Sequence, residues 1–171
     1  MQPTLKLIHH VHIQRCLKVH VRHGDKALEM DVLPAFEFLE ASRYLHRQAP
    51  TNQPLSPNVF LSTDDPEVIN SGVKWTGALA ESGEDWRIDF THNERANLPL
   101  YQLLEKFGGV NEMLNSLMNL DLALKCSGFV CALGSNWCSL IDELKSTSGG
   151  KAGQPYVNLG FGHHGSEYYY P

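Results

Sequence analysis

Short apolar segments alternate with amphipathic segments along most of this chain, and this alternation is the feature that most constrains its fold. Apolar runs bounded by turn residues predict strands, and apolar residues at helical spacing predict helices. The strands are predicted at 16–22, 59–61, 86–90, 129–133 and 156–159, and the helices at 34–45, 66–69, 98–107, 110–125 and 137–144. Such alternation predicts an α/β fold, with a parallel sheet and helices on both of its faces.

Composition is consistent with one globular domain over residues 1–171. The chain has 42% hydrophobic and 19% charged residues, which is enough apolar content for a real core. Its net charge of -5 argues against a nucleic-acid partner. No apolar run is long enough to span a bilayer, and the N-terminal segment lacks the pattern of a secretory signal. We therefore expect no membrane contact from this chain itself.

Four cysteines lie at positions 16, 126, 131 and 138 without any CxxC spacing, so a zinc site is not expected. They fall within apolar strand and helix patterns, which favours buried free thiols. A disulfide formed in a secretory lumen is the alternative.

The first polar cluster follows the first predicted strand. Arg22, Asp25 and Lys26 are gathered where that strand ends, and ligands of open α/β sheets bind at the carboxyl ends of the strands. An arginine there suits a diphosphate, because its planar fork donates two parallel hydrogen bonds to phosphate oxygens. The alternative is a solvated turn that carries ordinary charges.

Two further polar clusters follow later strands. Asp64 would orient Arg22 across the crevice, whereas Asp65 fits the N-cap of a helix that begins at Pro66. Metal binding by this pair is not expected, because adjacent aspartates point in different directions. Ser135 and Asn136 precede another helix, whose N-terminus is a ready anion site; a simple N-cap is compatible with that role.

Asp121 lies on an apolar stripe of helical spacing, so we expect it to be buried. An unpaired buried carboxylate costs several kcal/mol, and Asp121 should therefore have a specific partner. That partner is either a hydrogen-bond donor of a ligand or a structural arginine. The stripe consists of Val110, Met113, Leu114, Leu117 and Leu124.

Three blocks of the sequence, taken in order, resemble the α-1,6-fucosyltransferase family, which is related to the nodulation fucosyltransferases. The blocks are HVRHGDK, VFLSTDDPEVI and LDLALKCSGFVCALGSNWCSLIDEL, and the similarity is strongest over residues 16–144. The resemblance implies a Rossmann-like domain similar to the C-terminal half of a GT-B glycosyltransferase. It also implies GDP-fucose as the donor, no metal ion, and a glycan or glycoprotein acceptor.

The resemblance assigns Arg22 to the donor diphosphate, and Lys26 and Glu29 to catalysis around the acceptor hydroxyl. Further donor contacts are implied for His20, Asp64, Asp65, Asp121, Ser135 and Asn136. His20 and Asp121 would lie near the guanosine, and Ser135 near the β-phosphate.

The sequence departs from the family pattern at three positions. His23 stands where a second arginine is usual, Ser139 replaces another arginine, and Glu29 lies one residue closer to its lysine. The N-terminal half of the family is not represented, so we expect a C-terminal fragment or a reduced relative. The implied activity is inverting transfer of fucose in protein glycosylation, in the Golgi or secretory lumen for a full-length parent. The alternatives are a non-catalytic nucleotide-sugar-binding module and a glycosyltransferase that uses another donor.

Overall fold

In the described part of the chain, six short strands form one sheet in the order β3-β2-β1-β4-β5-β6. The computed structural model describes residues 15–23, 32–71, 83–96, 98–132, 134–148, 151–160 and 167–169. The first five strands are parallel, and β6 pairs antiparallel to β5. The strands are β1 Leu17–Val21, β2 Asn58–Thr63, β3 Arg87–Asp89, β4 Gly128–Cys131, β5 Tyr156–Asn158 and β6 Glu167–Tyr169.

Helices cover both faces of the sheet, which confirms the predicted α/β fold class. They are α1 Ala35–Gln48, α2 Leu100–Phe107, α3 Gly109–Lys125 and α4 Asn136–Thr147. Helix α1 packs on one face, and α3 and α4 contribute to the core clusters of the other. Within the described ranges, no helix has the length and apolar character needed to cross a membrane. Residues 66–71, which follow β2, are also helical.

Strand β1 lies at the centre of the sheet, and all five of its residues are buried. The sequence alternates apolar and polar residues from Cys16 to Arg22, which predicts a half-buried strand, and this prediction is therefore wrong. Leu17, Val19 and Val21 pack into the core beneath α1, while the alternate residues Lys18 and His20 are buried on the opposite side. The alternation marks two different buried environments, one apolar and one polar.

The sequence predicts a buried stripe of Phe36, Leu39, Ala41 and Leu45 on helix α1, and the structure differs from it at the first turn. Phe36 is 60% exposed, whereas Phe38 is 2% exposed. The predicted Leu39, Ala41 and Leu45 are buried as expected. Phe36 and Phe38 are separated by about 200° around a helix, so only one of them can face the sheet.

All four cysteines form disulfides, so the prediction of free thiols is wrong. Cys16 pairs with Cys126, which joins the start of β1 to the end of α3 across 110 residues of sequence. Cys131 pairs with Cys138, which joins the end of β4 to the first turn of α4. Spacing alone did not reveal these pairs, because the parallel sheet determines which positions become neighbours.

The apolar stripe predicted to be the buried face of α3 is also wrong. Val110, Met113, Leu114 and Leu117 are between 43% and 69% exposed. The helix instead buries Leu122 and Ala123 near its C-terminal end, with partly buried Met118 and Leu120 packed beside them. The helix carries apolar residues on more than one face, and spacing cannot identify which face meets the sheet.

Two glycines have specific roles. Gly108 separates α2 from α3 with a φ of 85°, a left-handed conformation that glycine adopts without strain. Gly128 begins β4 where a Cβ atom would approach Leu17 Cδ2 to 2.8 Å and Leu55 Cδ1 to 3.0 Å. The missing side chain at position 128 thus permits close packing beside the central strand.

Candidate functional site

A cavity of about 560 Å³ opens at the carboxyl ends of β1, β2 and β4. The strand order reverses between β1 and β4, and ligands of open α/β sheets bind at such a switch point. We call it the switch-point cavity. Its wall comprises His20, Arg22, Ser62, Thr63, Asp64, Asn93, Glu94, Arg95, Ala96, Leu103, Glu112, Asn115, Ser116, Asn119, Ser135, Asn136 and Trp137.

Arg22 and Asp64 form an ion pair at this edge of the sheet. Arg22 directly follows β1 and Asp64 directly follows β2; the two strands pair in parallel, which places their ends side by side. Nη1 of Arg22 donates to Oδ2 of Asp64, and the backbone N–H of His23 donates to Oδ1 at 3.1 Å. Asp64 therefore orients the arginine and also holds the backbone that follows it.

His23 and Asp65 have structural contacts. Nδ1 of His23 lies 2.8 Å from Oδ2 of Asp65, and its Nε2 lies 3.0 Å from the Leu33 carbonyl oxygen. Oδ1 of Asp65 accepts from the N–H of Glu67 at 2.8 Å, which is the predicted N-cap. Neither His23 nor Asp65 lines the switch-point cavity. His23 thus ties the end of β1 to Asp65 and Leu33.

The N-terminus of α4 forms the opposite side of the cavity. Ser135 is buried as the N-cap residue, yet its side chain makes no capping hydrogen bond. Asn136 and Trp137 continue the wall along the first turn. The free N–H groups and the helix dipole at such a position favour an anion. The disulfide from Cys131 to Cys138 encloses this turn.

His20 lies between the buried interior and the cavity. Its Nδ1 is 2.9 Å from Oγ of Ser62, whereas Nε2 is buried and has no hydrogen-bond partner in the described part of the chain. Burial lowers the pKa of His20 well below its usual value, and the positive charges of Lys18 and Arg22 lower it further. Hydrogen bonding to the Ser62 backbone acts in the opposite direction. The neutral ring is therefore favoured.

Lys18 is buried beneath His20, and the sequence reasoning missed it. Its Nζ donates to Oγ of Ser62 and, at 3.1 Å, to the carbonyl oxygen of Val19. The Nζ atom also lies 4.7 Å from the centre of the Phe60 ring, a cation–π distance. Burial lowers the pKa of Lys18 well below its usual value, and Arg95 lowers it further. The available sequence signal for Lys18 was the presence of a lysine in a strand where apolar and polar residues alternate.

Arg95 is a second missed residue, and it organises the loop after β3. Its guanidinium donates to the carbonyl oxygens of Thr63, Asn93 and Thr91, at 3.1, 2.9 and 2.7 Å. These bonds fasten the loop to the end of β2 while the positive charge lines the cavity. No motif distinguished Arg95 in the sequence, because its partners are backbone oxygens.

Helix α3 contributes Glu112 and Asn119 to the cavity, but not Asp121. Desolvation raises the pKa of Glu112, while Asn115 and Arg95 act to lower it. The side chain of Asp121 is 63% exposed and pairs with Lys125 Nζ at 2.6 Å. Asp121 lies about 200° around the helix from Asn119. The predicted burial of Asp121 is therefore wrong; Asp121 also lies outside the wall of the cavity, and its guanosine contact stays a prediction.

Five of the predicted site residues come together in the switch-point cavity: His20, Arg22, Asp64, Ser135 and Asn136. Asp25, Lys26 and Glu29 lie outside the described residues, so their roles stay predictions. No group of three or more histidine, cysteine or acidic side chains suited to a metal occurs among the residues that are described.

Comparison with known proteins supports the fold. No protein-family model matches the sequence, and no curated protein sequence matches it significantly. A solved NodZ α-1,6-fucosyltransferase soaked with GDP-fucose matches with a TM-score of 0.51 and 17% identity, over 92% of this chain and 43% of that one. NodZ co-crystallized with GDP (TM-score 0.47, 15% identity, 85% of this chain and 38% of that one) and NodZ from Bradyrhizobium (0.44, 15%, with the same coverage) are also similar. The chain therefore spans less than half the length of these structures and shares an α/β fold with part of a fucosyltransferase.

Proposed function

We propose that this chain is a single nucleotide-sugar-binding domain of a fucosyltransferase and that the switch-point cavity binds GDP-fucose without a metal ion. The observation that carries the proposal is the meeting of Arg22, held by Asp64, with the N-terminus of α4 at the switch point. Both groups favour a diphosphate. The sequence blocks resemble the fucosyltransferase family, and a solved structure of similar fold was soaked with GDP-fucose, so this donor is the first to test.

In the proposed reaction a glycan hydroxyl displaces GDP from fucose with inversion. Negative charge collects on the departing diphosphate as the glycosidic bond breaks. A positive charge about 4 Å away contributes roughly 4 kcal/mol at an effective dielectric constant near 20. Arg22 and the first turn of α4 would supply that stabilisation. Lys26 and Glu29 act at the acceptor hydroxyl, where a carboxylate base adds about 10²–10⁴-fold.

The reaction and the disulfides together suggest a compartment. Disulfides persist in oxidising environments, which include the secretory lumen. All four cysteines are paired here. We propose that the parent protein acts on glycans or glycoproteins in the Golgi or another part of the secretory lumen.

Titration calorimetry with GDP, ADP and UDP, each with and without a chelator, tests the nucleotide assignment. We expect GDP to bind most tightly and its affinity to be unchanged by the chelator. Equal affinity for the three nucleotides would remove the guanosine assignment. Asp121→Asn serves as a control and should leave GDP affinity unchanged, because this side chain faces solvent.

A non-catalytic nucleotide-sugar-binding module is the second candidate. The contacts of His23 favour it, since the residue in place of the family's second arginine contacts Asp65 and Leu33 and does not line the cavity. A transfer assay with radiolabelled GDP-fucose and a mixed glycan acceptor distinguishes the two candidates. A binding module retains GDP affinity and transfers no fucose.

A further inference from the structure

The alternate residues of β1 on its polar side form a column that ends at the switch-point cavity. Lys18 is 0% exposed, His20 is 7% exposed, and Arg22 follows at the cavity itself. A lysine is almost never fully buried unless a specific set of partners holds it. Ser62 of the neighbouring strand β2 contacts both Lys18 and His20. The side chains of Lys18, Ser62 and His20 therefore form one series of hydrogen bonds.

The direction of each hydrogen bond in this series depends on which groups can donate and which can accept. Nζ of Lys18 donates to Oγ of Ser62. In its ammonium form Lys18 has three donors and no acceptor, which permits only this direction. The hydroxyl of Ser62 retains one proton to donate, and Nδ1 of His20 lies 2.9 Å from its oxygen. Donation to Nδ1 requires that nitrogen to be unprotonated, which places the proton of the neutral ring on Nε2.

We propose that Lys18 is a positioning residue, which acts through Ser62 to hold His20 in the tautomer with its proton on Nε2. The ring then offers a hydrogen-bond donor to an acceptor atom of a nucleotide in the switch-point cavity. This proposal rests on the proposed function for the identity of the ligand. Nε2 is buried without a partner in the described residues, and a buried donor left unpaired is costly. A ligand acceptor would satisfy it.

The opposite tautomer is the competing arrangement. In that case Nδ1 of His20 donates to Ser62, an arrangement that the backbone hydrogen bond with Ser62 favours, and Nε2 presents a lone pair. The Ser62 oxygen would then accept hydrogen bonds from both Lys18 and His20. The hydroxyl proton of Ser62 could no longer be donated to His20. A lone pair on Nε2 would repel an acceptor atom of the nucleotide, so the two tautomers predict opposite effects on nucleotide binding.

The tautomer can be measured in the ligand-free protein. Long-range ¹H–¹⁵N correlation spectra distinguish protonated from unprotonated ring nitrogens, and the His20 signals are assigned by their loss in His20→Gln. We expect an unprotonated Nδ1 and a protonated Nε2 in the wild-type protein. A proton on Nδ1 would overturn the proposal without any variant of Lys18.

Variants then test the part played by Lys18 and Ser62. Lys18→Met and Ser62→Ala should shift the ring toward the Nδ1-protonated form and weaken GDP binding roughly five- to tenfold. Ser62→Thr retains the hydroxyl and should retain the wild-type tautomer. If Lys18→Met does not fold, the two Ser62 variants still decide between the arrangements. An unchanged tautomer in Ser62→Ala would overturn the proposal.

Lys145 offers a matched control. It is also a buried lysine, 4% exposed, with Nζ 4.3 Å from the centre of the Tyr156 ring and 3.0 Å from Oδ1 of Asp142. It does not line the cavity. Lys145→Met should therefore leave the His20 tautomer and GDP affinity unchanged; equal losses of affinity in Lys145→Met and Lys18→Met would assign Lys18 a merely structural role.

If the wild-type protein does not bind GDP, the proposed function fails while the ligand-free spectra still decide the tautomer.

Discussion

Arg22 is held by a carboxylate that lies 42 residues later in the chain, so the protein itself orients its guanidinium. The side chain is 28% exposed and the partner Asp64 is 15% exposed, which leaves the arginine within reach of a ligand. Preorganised charge of this kind stabilises a developing anion without reorganisation during the reaction.

Arg22→Ala should damage donor use more than any other single substitution. Removal of one preorganised donor costs about 10²–10³ in rate, and Arg22→Lys should restore only part of it, because a point charge cannot reproduce the planar fork. The measurements are GDP affinity and the transfer rate. Arg87→Ala is the control, since Arg87 also pairs with an aspartate, Asp89, but lies outside the cavity. If GDP affinity and the transfer rate of Arg22→Ala both stay within a factor of two or three of wild type, Arg22 does not bind the diphosphate and the segment after β1 is only a turn.

His20 should make the stability of the protein depend on pH in a defined direction. Its pKa is lowered in the folded state by burial and by Lys18 and Arg22, so below about pH 6.5 the unfolded chain binds more protons than the folded one. The free energy of unfolding should therefore fall as the pH decreases through this range, by at most about 1.4 kcal/mol per pH unit for this group.

Urea titrations at several pH values measure this effect as the difference between wild type and His20→Gln. The other charged groups on this side of the sheet are Lys18 on β1, Arg22 directly after it, Asp64 after β2, Glu94 and Arg95 after β3, and Glu112 on α3. The difference between the two proteins largely cancels their titration. Equal slopes in the two proteins would contradict a neutral buried His20.

At the scale of elements, the first turn of α4 depends on the covalent link that encloses it. The disulfide from Cys131 to Cys138 joins positions separated by 7 in the sequence and closes a loop that contains Ser135, Asn136 and Trp137. Replacement of both cysteines by serine should weaken GDP binding several-fold, because the N–H groups at the start of the helix lose their fixed position. Calorimetry on the Cys131→Ser/Cys138→Ser double variant measures this loss of GDP affinity. An unchanged affinity would show that packing alone holds the turn.

The order of elements and three polar clusters could be predicted because they depend on local pattern. Parallel strands bring their carboxyl ends to one edge, so Arg22, Asp64 and Ser135 were expected together and line one cavity. The orientation of each helix could not be predicted in the same way. Asp121 and Phe36 lie on exposed faces, because contact with the sheet selects among several apolar faces.

Other features depended on contacts between distant parts of the chain. Lys18 is stabilised by Ser62 of the next strand, and Arg95 by the backbone oxygens of its loop and of β2. The two disulfides follow from strand adjacency, which spacing does not encode. The strand β6 was also missed, because the tyrosine-rich end carries no alternating pattern; it pairs with β5 at the sheet edge.

At the scale of the whole molecule, the two disulfides should differ in what they stabilise. Chain-entropy arguments give about 5 kcal/mol for a closed loop of the size between Cys16 and Cys126, against about 2.5 kcal/mol for the short loop. The Cys16→Ser/Cys126→Ser double variant should therefore lose more thermal stability than the Cys131→Ser/Cys138→Ser variant while losing less GDP affinity. Thermal unfolding and calorimetry on the same two proteins test this contrast. If the same double variant loses more of both thermal stability and GDP affinity, the contrast between the two disulfides is contradicted.

The pairing of the cysteines has a topological consequence. Every described residue that lines the switch-point cavity falls inside one of two covalent rings: positions 20–119 within the ring closed at 16 and 126, and positions 135–137 within the ring closed at 131 and 138. A protease that cuts once inside either ring opens it without releasing a fragment. The nicked protein should migrate as one species on a non-reducing gel and as two after reduction, and the two pieces should remain one molecule through a cycle of unfolding and refolding. The binding site would thus survive a single backbone break as a joined set of parts, until a reductant separates them.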